Sequence, residues 1–327
     1  VTFLSALLAA LFSVWAVIYG TRVKATNLGE IRLFANYAVM LSVALVLWIQ
    51  TFWKGRTLYN KEYWKFSLTL SIPLIGNSIA TQVLSVSDRT MIGKMVGNSE
   101  VGIYSTLYTV SSLSLIIWQA INSSFIPFLY DNLGKPEKRQ QIKSLASKLL
   151  AAFAVVAFLL TMMAPEIVRI LATSEYYEAI YIMPPIAAGV FLTSVSNMYS
   201  NVLIYHKKTN YIMISSIVAA SINIILNYFG IQMFGYLAAA YTTLIAYIVL
   251  GLMQAIVSEK VHKKMSNDKN DTVYDTKMVL ILSIITIVCC VSCLGLYNFA
   301  LLRYFILIII GILAALNRKK IMELLGR

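Results

Sequence analysis

The sequence predicts an all-α fold, a polytopic membrane helical bundle of about ten transmembrane helices. Three observations carry that expectation. Hydrophobic residues make up 59% of the 327 and charged residues only 13%, where soluble domains sit near about half and about a quarter. Mean hydropathy is +0.75. The apolar residues also fall in runs of about 20, the length that crosses a hydrocarbon core at ~1.5 Å per residue, with no strand-like alternation between them.

The first two runs, 3–20 and 33–51, flank a loop with Arg22, Lys24 and Arg32. The chain starts at Val1 inside an apolar run, without a Met, a basic leader or a small-residue cleavage site. It therefore reads as a piece whose upstream part is missing. The third run, 68–88, ends on Asp88 and Arg89, with Gly93, Gly97 and Gly102 soon after. At ~100° per residue its Asn77, Thr81, Ser85 and Asp88 share an arc of about 80°. The fourth, 101–125, lines up Tyr104, Tyr108, Ser111, Ser112, Gln119 and Asn122.

The fifth run, 147–165, has only Thr161 as an interior polar residue. The sixth, 180–204, opens near Pro184 and Pro185 and carries Thr193, Ser196, Asn197, Ser200 and Asn201 on one stripe. The seventh, 211–229, aligns Ser216, Asn223 and Asn227; the eighth, 234–256, aligns Tyr236, Thr243, Tyr247 and Gln254. The last two, 278–297 and 301–317, are apolar all round, as suits helices that face lipid over most of their perimeter. Pro73, Pro127 and Pro165 join the proline pair as sites where a helix can bend or end, the kind of bend on which a transporter bundle can rock.

Loop charge gives orientation. Alternate loops (52–66, 131–148, 206–210, 257–277 and the tail from 318) hold 20 of the 27 basic residues and 8 of the 14 acidic ones. By the positive-inside rule these lie in the cytoplasm, the C-terminus with them. The net charge of +13 thus coats one membrane face, where it meets anionic lipid headgroups; nucleic acid is not an expected partner.

Several chemistries find no residues. No GxxxxGK[ST] stretch can cradle ATP phosphates. His206 and His262 fall in cytoplasmic loops without metal-ligand spacing, and Cys289, Cys290 and Cys293 lie mid-span among Ile, Val and Leu, reading as packing rather than a zinc site. The short loops offer no catalytic cluster, which argues against an enzyme such as a polysaccharide polymerase or ligase. No cofactor is implied.

The polar stripes mark the candidate site. A single Ser or Thr often joins membrane helices by a hydrogen bond. Whole stripes of Asn, Gln and Tyr mean helices facing one another or shared water, because an unpartnered amide costs several kcal/mol in hydrocarbon. A hydrated cavity bounded by runs three, four, six, seven and eight accounts for them together, and its tyrosines offer amphipathic surfaces for sugar rings. The candidate pathway residues are Asp88, Arg89, Asn77, Thr81, Ser85, Tyr104, Tyr108, Gln119, Asn122, Asn197, Asn201, Asn223, Asn227, Tyr236 and Tyr247. Asp88 is the expected anchor, holding Arg89 or joining a gating pair. Arg89, and Lys94 beyond it, are the expected cationic arms of that pathway, Arg offering bidentate geometry to oxyanions.

Residues 73–105, PLIGNSIATQVLSVSDRTMIGKMVGNSEVGIYS, resemble the signature of bacterial polysaccharide flippases of the Wzx type. There a Pro-Leu begins a helix, a Ser-x-x-Asp-Arg-like run follows, and Gly-Ile-Tyr-Ser opens the next helix. These flippases share a superfamily with the multidrug and toxin extruders. The resemblance implies two six-helix lobes followed by two extra helices. Residues 1–66 would then be the last two helices of a truncated first lobe, 67–260 the second lobe, and 261–327 two peripheral helices with a cytoplasmic tail. It implies transfer of an undecaprenyl-diphosphate-linked oligosaccharide across a bacterial cytoplasmic membrane, alongside a polysaccharide polymerase and assembly proteins. Drive would come from an ion gradient, H+ or Na+, or from product removal. The alternative within the superfamily is an ion-coupled small-molecule or drug extruder.

Overall fold

The computed structural model describes residues 2–23, 27–57, 59–171, 174–266 and 268–316. Lys24 and the tail from 318, both part of the loop-charge pattern, lie outside the described residues, as does position 317 at the end of the tenth run. Among the described residues the regular structure is helical throughout. The α-helices are α1 Thr2–Arg22, α2 Leu28–Gly55, α3 Lys61–Met95, α4 Asn98–Ser112, α5 Ser114–Asn132 and α6 Arg139–Met162. They continue with α7 Ala164–Leu171, α8 Met183–Tyr205, α9 Thr209–Phe234, α10 Ala238–Ser266, α11 Thr276–Ser292 and α12 Ala300–Leu316. Among the described residues, nine segments are long and apolar enough to cross a membrane; α4 with α5 makes one of them. At the tenth expected position α12 contributes a shorter apolar helix.

The chain divides into two compact units, residues 1–68 and 69–327, with the division inside α3. In the first unit α1 and α2 pack along each other. Gly20 permits this, since a Cβ there would lie 3.0 Å from the tips of both Leu28 and Ile31. Other faces present large apolar side chains such as Leu11, Trp15, Leu41 and Trp48, as expected of surfaces that meet lipid. Arg56, in the left-handed conformation at φ 51°, closes α2 by donating its N–H to the Phe52 carbonyl.

The second unit is built around α8, which packs against α4, α5, α6, α9, α10 and α11. A helix apolar on nearly every side is buried on every side, and the small residues Ala187, Ala188 and Gly189 let its neighbours approach. Pro184 falls in the first turn of α8, where its missing N–H is harmless. At Gly189 a Cβ would come within 2.9 Å of the Tyr247 ring on α10. Gly189→Ala should therefore push Tyr247 aside at a cost of about 1–3 kcal/mol. A lowered melting temperature of the purified protein checks this; an unchanged one contradicts it.

Several boundaries and placements differ from the sequence expectation. α3 does not end at Asp88 but runs two further turns to Met95, where Val96 and Gly97 both donate to the Ile92 carbonyl to turn the chain into α4. α10 continues past 256 to Ser266, carrying His262 on a helix rather than a loop. Arg303, one of the seven basic residues that fall outside the loops counted as cytoplasmic, lies inside α12 and is 1% exposed. Its guanidinium forks onto the Glu166 carboxylate of α7 at 2.7 and 2.8 Å and also donates to the Met162 carbonyl. α12 is thus tied to the α6–α7 junction rather than free on all sides. Cys290 and Cys293 are buried and Cys289 half-buried, all as free thiols, in line with packing.

Candidate functional site

The polar seam of the second unit centres on Asp88, which is fully buried. Tyr104 of α4 and Thr243 of α10 each donate a hydroxyl to Oδ2 at 2.7 Å, and Asn227 of α9 donates Nδ2 to Oδ1 at 2.6 Å. The second layer is equally connected. Asn227 also donates to Asn223 Oδ1 at 3.1 Å and accepts from the Thr242 hydroxyl. Asn223 donates to Thr243 at 3.0 Å and accepts from Ser87 at 2.6 Å. One carboxyl group thereby ties together α3, α4, α9 and α10, each hydrogen bond answering a group that hydrocarbon would leave unmatched.

Local sequence explains the placement. Asn223 and Asn227 are one helical turn apart and so share a face. The tight turn at Val96–Gly97 folds α4 back, so that Tyr104 meets α3 sixteen residues from Asp88. Two turns before Asn223, Ser216 of α9 donates to Asn77 Oδ1 of α3 at 2.5 Å.

Asp88 does not hold Arg89; among the described residues no ion pair joins them. Its oxygens are taken by neutral donors of other helices, while Arg89 projects about 100° further round α3. There its guanidinium stacks over the Tyr108 ring at 4.6 Å, a cation–π contact, and its Nε is buried without a hydrogen-bond partner. The Tyr108 hydroxyl lies 3.4 Å from that of Tyr247. Arg89, Tyr108 and Tyr247 thus form an aromatic–cationic group beside the seam. Lys94 is exposed.

The remaining residues named from the sequence do not join these groups. Thr81 and Ser85 donate to carbonyls of their own helix, at Asn77 and Gln82. Asn201 donates to Asn122 Oδ1 at 2.8 Å, joining α8 to α5, while Ser196 and Ser200 both donate to Gln254 Oε1 at 2.6 Å. Asn197 is half-buried and Gln119 exposed. Tyr236 lies in the turn before α10, where burial first, and Glu100 and Glu178 after it, hold its phenol above the usual range.

The stripes of α3, α9 and α10 therefore meet one another directly instead of bounding a hydrated cavity. A cavity of about 1020 Å³ opens between α6, α8, α10 and α11 and is lined by none of the fifteen candidate residues. Ser87 and Thr242 are the seam members that the stripe pattern missed. Each neighbours a stripe residue, Asp88 or Thr243, but lies about 100° off its face.

At the end marked cytoplasmic by loop charge, a second cluster forms. Arg139 pairs bidentately with Asp271 at 2.8 and 2.9 Å, His262 Nε2 lies 2.9 Å from the same carboxylate, and His206 Nε2 lies 3.0 Å from His262 Nδ1. Among the described residues no group of three or more His, Cys, Asp or Glu is arranged to hold a metal. Burial, then the charges of His262 and Arg139, lowers His206 to about 4. An unfolded histidine binds a proton near pH ~6.5, so between these values the unfolded chain binds more protons. This contribution to stability is intact above pH ~6.5 and falls away as pH drops toward 4. The melting temperature should fall across that window, and His206→Gln should flatten the fall; equal slopes contradict the assignment.

Fold and seam together define a multi-pass α-helical membrane protein with a buried carboxyl hub. A family profile described as MatE matches residues 73–229, and one described as polysaccharide biosynthesis protein matches residues 1–133. Over these residues the chain resembles the MatE and polysaccharide-biosynthesis families. It is 26% identical over 209 residues to a Haloferax volcanii protein described as "Probable low-salt glycan biosynthesis flippase Agl15", a match covering 63% of this chain and 42% of that protein. The chain thus aligns with about two-fifths of that curated relative's length. No solved structure matches.

Proposed function

We propose that the complete protein is a flippase for surface polysaccharide assembly. It carries an undecaprenyl-diphosphate-linked oligosaccharide repeat from the cytoplasmic to the outer leaflet of a bacterial cell membrane. The observation that carries this reading is the overlap of the two family matches on residues 73–133, the segment that holds Asp88, Arg89, Tyr104 and Tyr108. The relative described as a glycan biosynthesis flippase favours the polysaccharide side of the superfamily over small-molecule export. In this reading residues 1–66 belong to a first lobe, 67–260 form the second, and 261–327 add two peripheral helices. The C-terminus faces the cytoplasm, and a polymerase takes up the product outside.

The residues suit the task in a specific way. A diphosphate headgroup needs a cation that is not already neutralised, and Arg89 has no carboxylate partner but rests on an aromatic ring. Asp88 holds the helices that frame it. Deleting the complete gene should leave lipid-linked repeat units in the cytoplasmic leaflet, and re-expression with Arg89→Ala should restore export about tenfold less well than wild type at equal membrane level. Normal delivery in the deletion strain sinks the reading. Altered drug susceptibility together with normal delivery transfers the chain to the extruder branch.

A further inference from the structure

The ~1020 Å³ cavity between α6, α8, α10 and α11 changes chemistry along its length. At the end toward the last turns of α10 and the start of α11 it is lined by Lys143, Lys263 and Lys277, with Glu259 and Asp275 among them. Deeper in, its walls are apolar, from Val195, Ile256 and Ile284 to Ile287. From Lys277 to Ile287 α11 rises about 15 Å, half of the ~30 Å hydrocarbon core. The cavity therefore has a charged mouth at one membrane face and an apolar body one leaflet deep.

Two polar side chains on its wall are buried and unmatched. Glu259 is 9% exposed and neither carboxylate oxygen has a hydrogen-bond partner; Tyr199 is 1% exposed and its hydroxyl has none. The Tyr274 amide near Glu259 and the Thr276 hydroxyl near Tyr199 fall outside hydrogen-bond geometry. A buried acceptor and a buried donor left open are costly. A ligand that brings a donating cation and an accepting anion satisfies both.

We propose that this cavity binds a phospholipid with a primary-amine headgroup, of the phosphatidylethanolamine class, from the cytoplasmic leaflet. Its ammonium donates to Glu259, its phosphate accepts from Tyr199, Lys143 and Lys263, and an acyl chain follows the apolar wall. A quaternary choline headgroup has no N–H to give Glu259. A phosphatidylglycerol or polyprenyl phosphate brings negative charge and no cation, leaving that carboxylate unmatched. The proposal does not rest on the flippase reading, since the cavity shares no lining residue with the Asp88 seam.

Native mass spectrometry of the full-length protein tests it, with equimolar dioleoyl phosphatidylethanolamine, phosphatidylcholine, phosphatidylglycerol and undecaprenyl phosphate in the detergent. The ethanolamine lipid should be retained about tenfold over the choline lipid, one charge-assisted contact's worth. Glu259→Gln should bring the two to parity. Tyr199→Phe should weaken retention, and Ile284→Trp, which fills the apolar body, should lower occupancy by every lipid. These two variants carry the test if Glu259→Gln does not remain monodisperse. Retention of all lipids in proportion to supply, or displacement of the ethanolamine lipid by undecaprenyl phosphate, overturns the proposal.

Discussion

Asp88→Ala is expected to destabilise the second unit by about 3–5 kcal/mol and, if the flippase proposal holds, to abolish export. The substitution removes the single acceptor shared by Tyr104, Thr243 and Asn227, leaving three donors from three helices unanswered at a site with no access to water. Each such orphan costs about 1–3 kcal/mol, and their shared partner makes the sum less than additive. Asp88→Asn should be far milder. The two hydroxyls can rotate to accept from the new amide, so the network keeps its connections and loses only the carboxyl's stronger acceptance. Thermal melting of purified protein separates the cases; equal losses for Ala and Asn would mean that charge, not connectivity, holds the seam.

Arg303→Ala is the second large expected effect, also about 3–5 kcal/mol, because it leaves a carboxylate that was matched to a buried guanidinium. Glu166 would keep only the Tyr304 hydroxyl at 2.8 Å, and the Met162 carbonyl would lose its donor. Detachment of α12 should appear as faster proteolysis after Cys293–Leu296, with α3, α4, α9 and α10 still protected. Acid should act on the same link. Burial raises the Glu166 carboxyl, but the hydrogen bonds from Arg303 and Tyr304 outweigh it and hold the group below its usual 4.5. Its stabilisation is therefore complete above about 4.5 and is lost as pH falls through the lowered value. If α12 is cleaved no faster in Arg303→Ala than in wild type, the link does not hold it.

The bilayer explains which parts of this structure could be read from the chain. Hydrophobic length locates helices because the hydrocarbon imposes it, and α8 and α9 fall close to where the apolar runs do. Helix ends were less legible. The third apolar run ends on Asp88 and Arg89, whereas α3 continues to Met95. The donors that let Asp88 stay inside come from positions 104, 227 and 243. Nothing local to 83–95 announces them. Arg303 misled in the same manner, since its partner Glu166 lies 137 residues earlier.

The site was legible as faces and illegible as pairings. Periodicity placed Asn77, Asp88, Asn223, Asn227 and Thr243 on the inward sides of their helices; the last four meet across α3, α9 and α10, and Asn77 meets Ser216 of α9. It could not say that they would meet one another instead of water, because both arrangements satisfy the same groups. Thr81 and Ser85 share that face, yet their short hydroxyls reach their own backbone first. Arg89 is the reverse case. Its position off the stripe was visible, but its seat on Tyr108 depends on the turn at Val96–Gly97.

The most direct test of the flippase account uses the full-length protein in sealed vesicles loaded with a lipid-linked oligosaccharide, its sugar exposed to an added glycosidase on one side only. The protected half of the lipid should become cleavable when wild-type protein is present, and about tenfold more slowly with Arg89→Ala. Cleavage that stops at half of the lipid with wild-type protein, as it does in protein-free vesicles, would contradict the account.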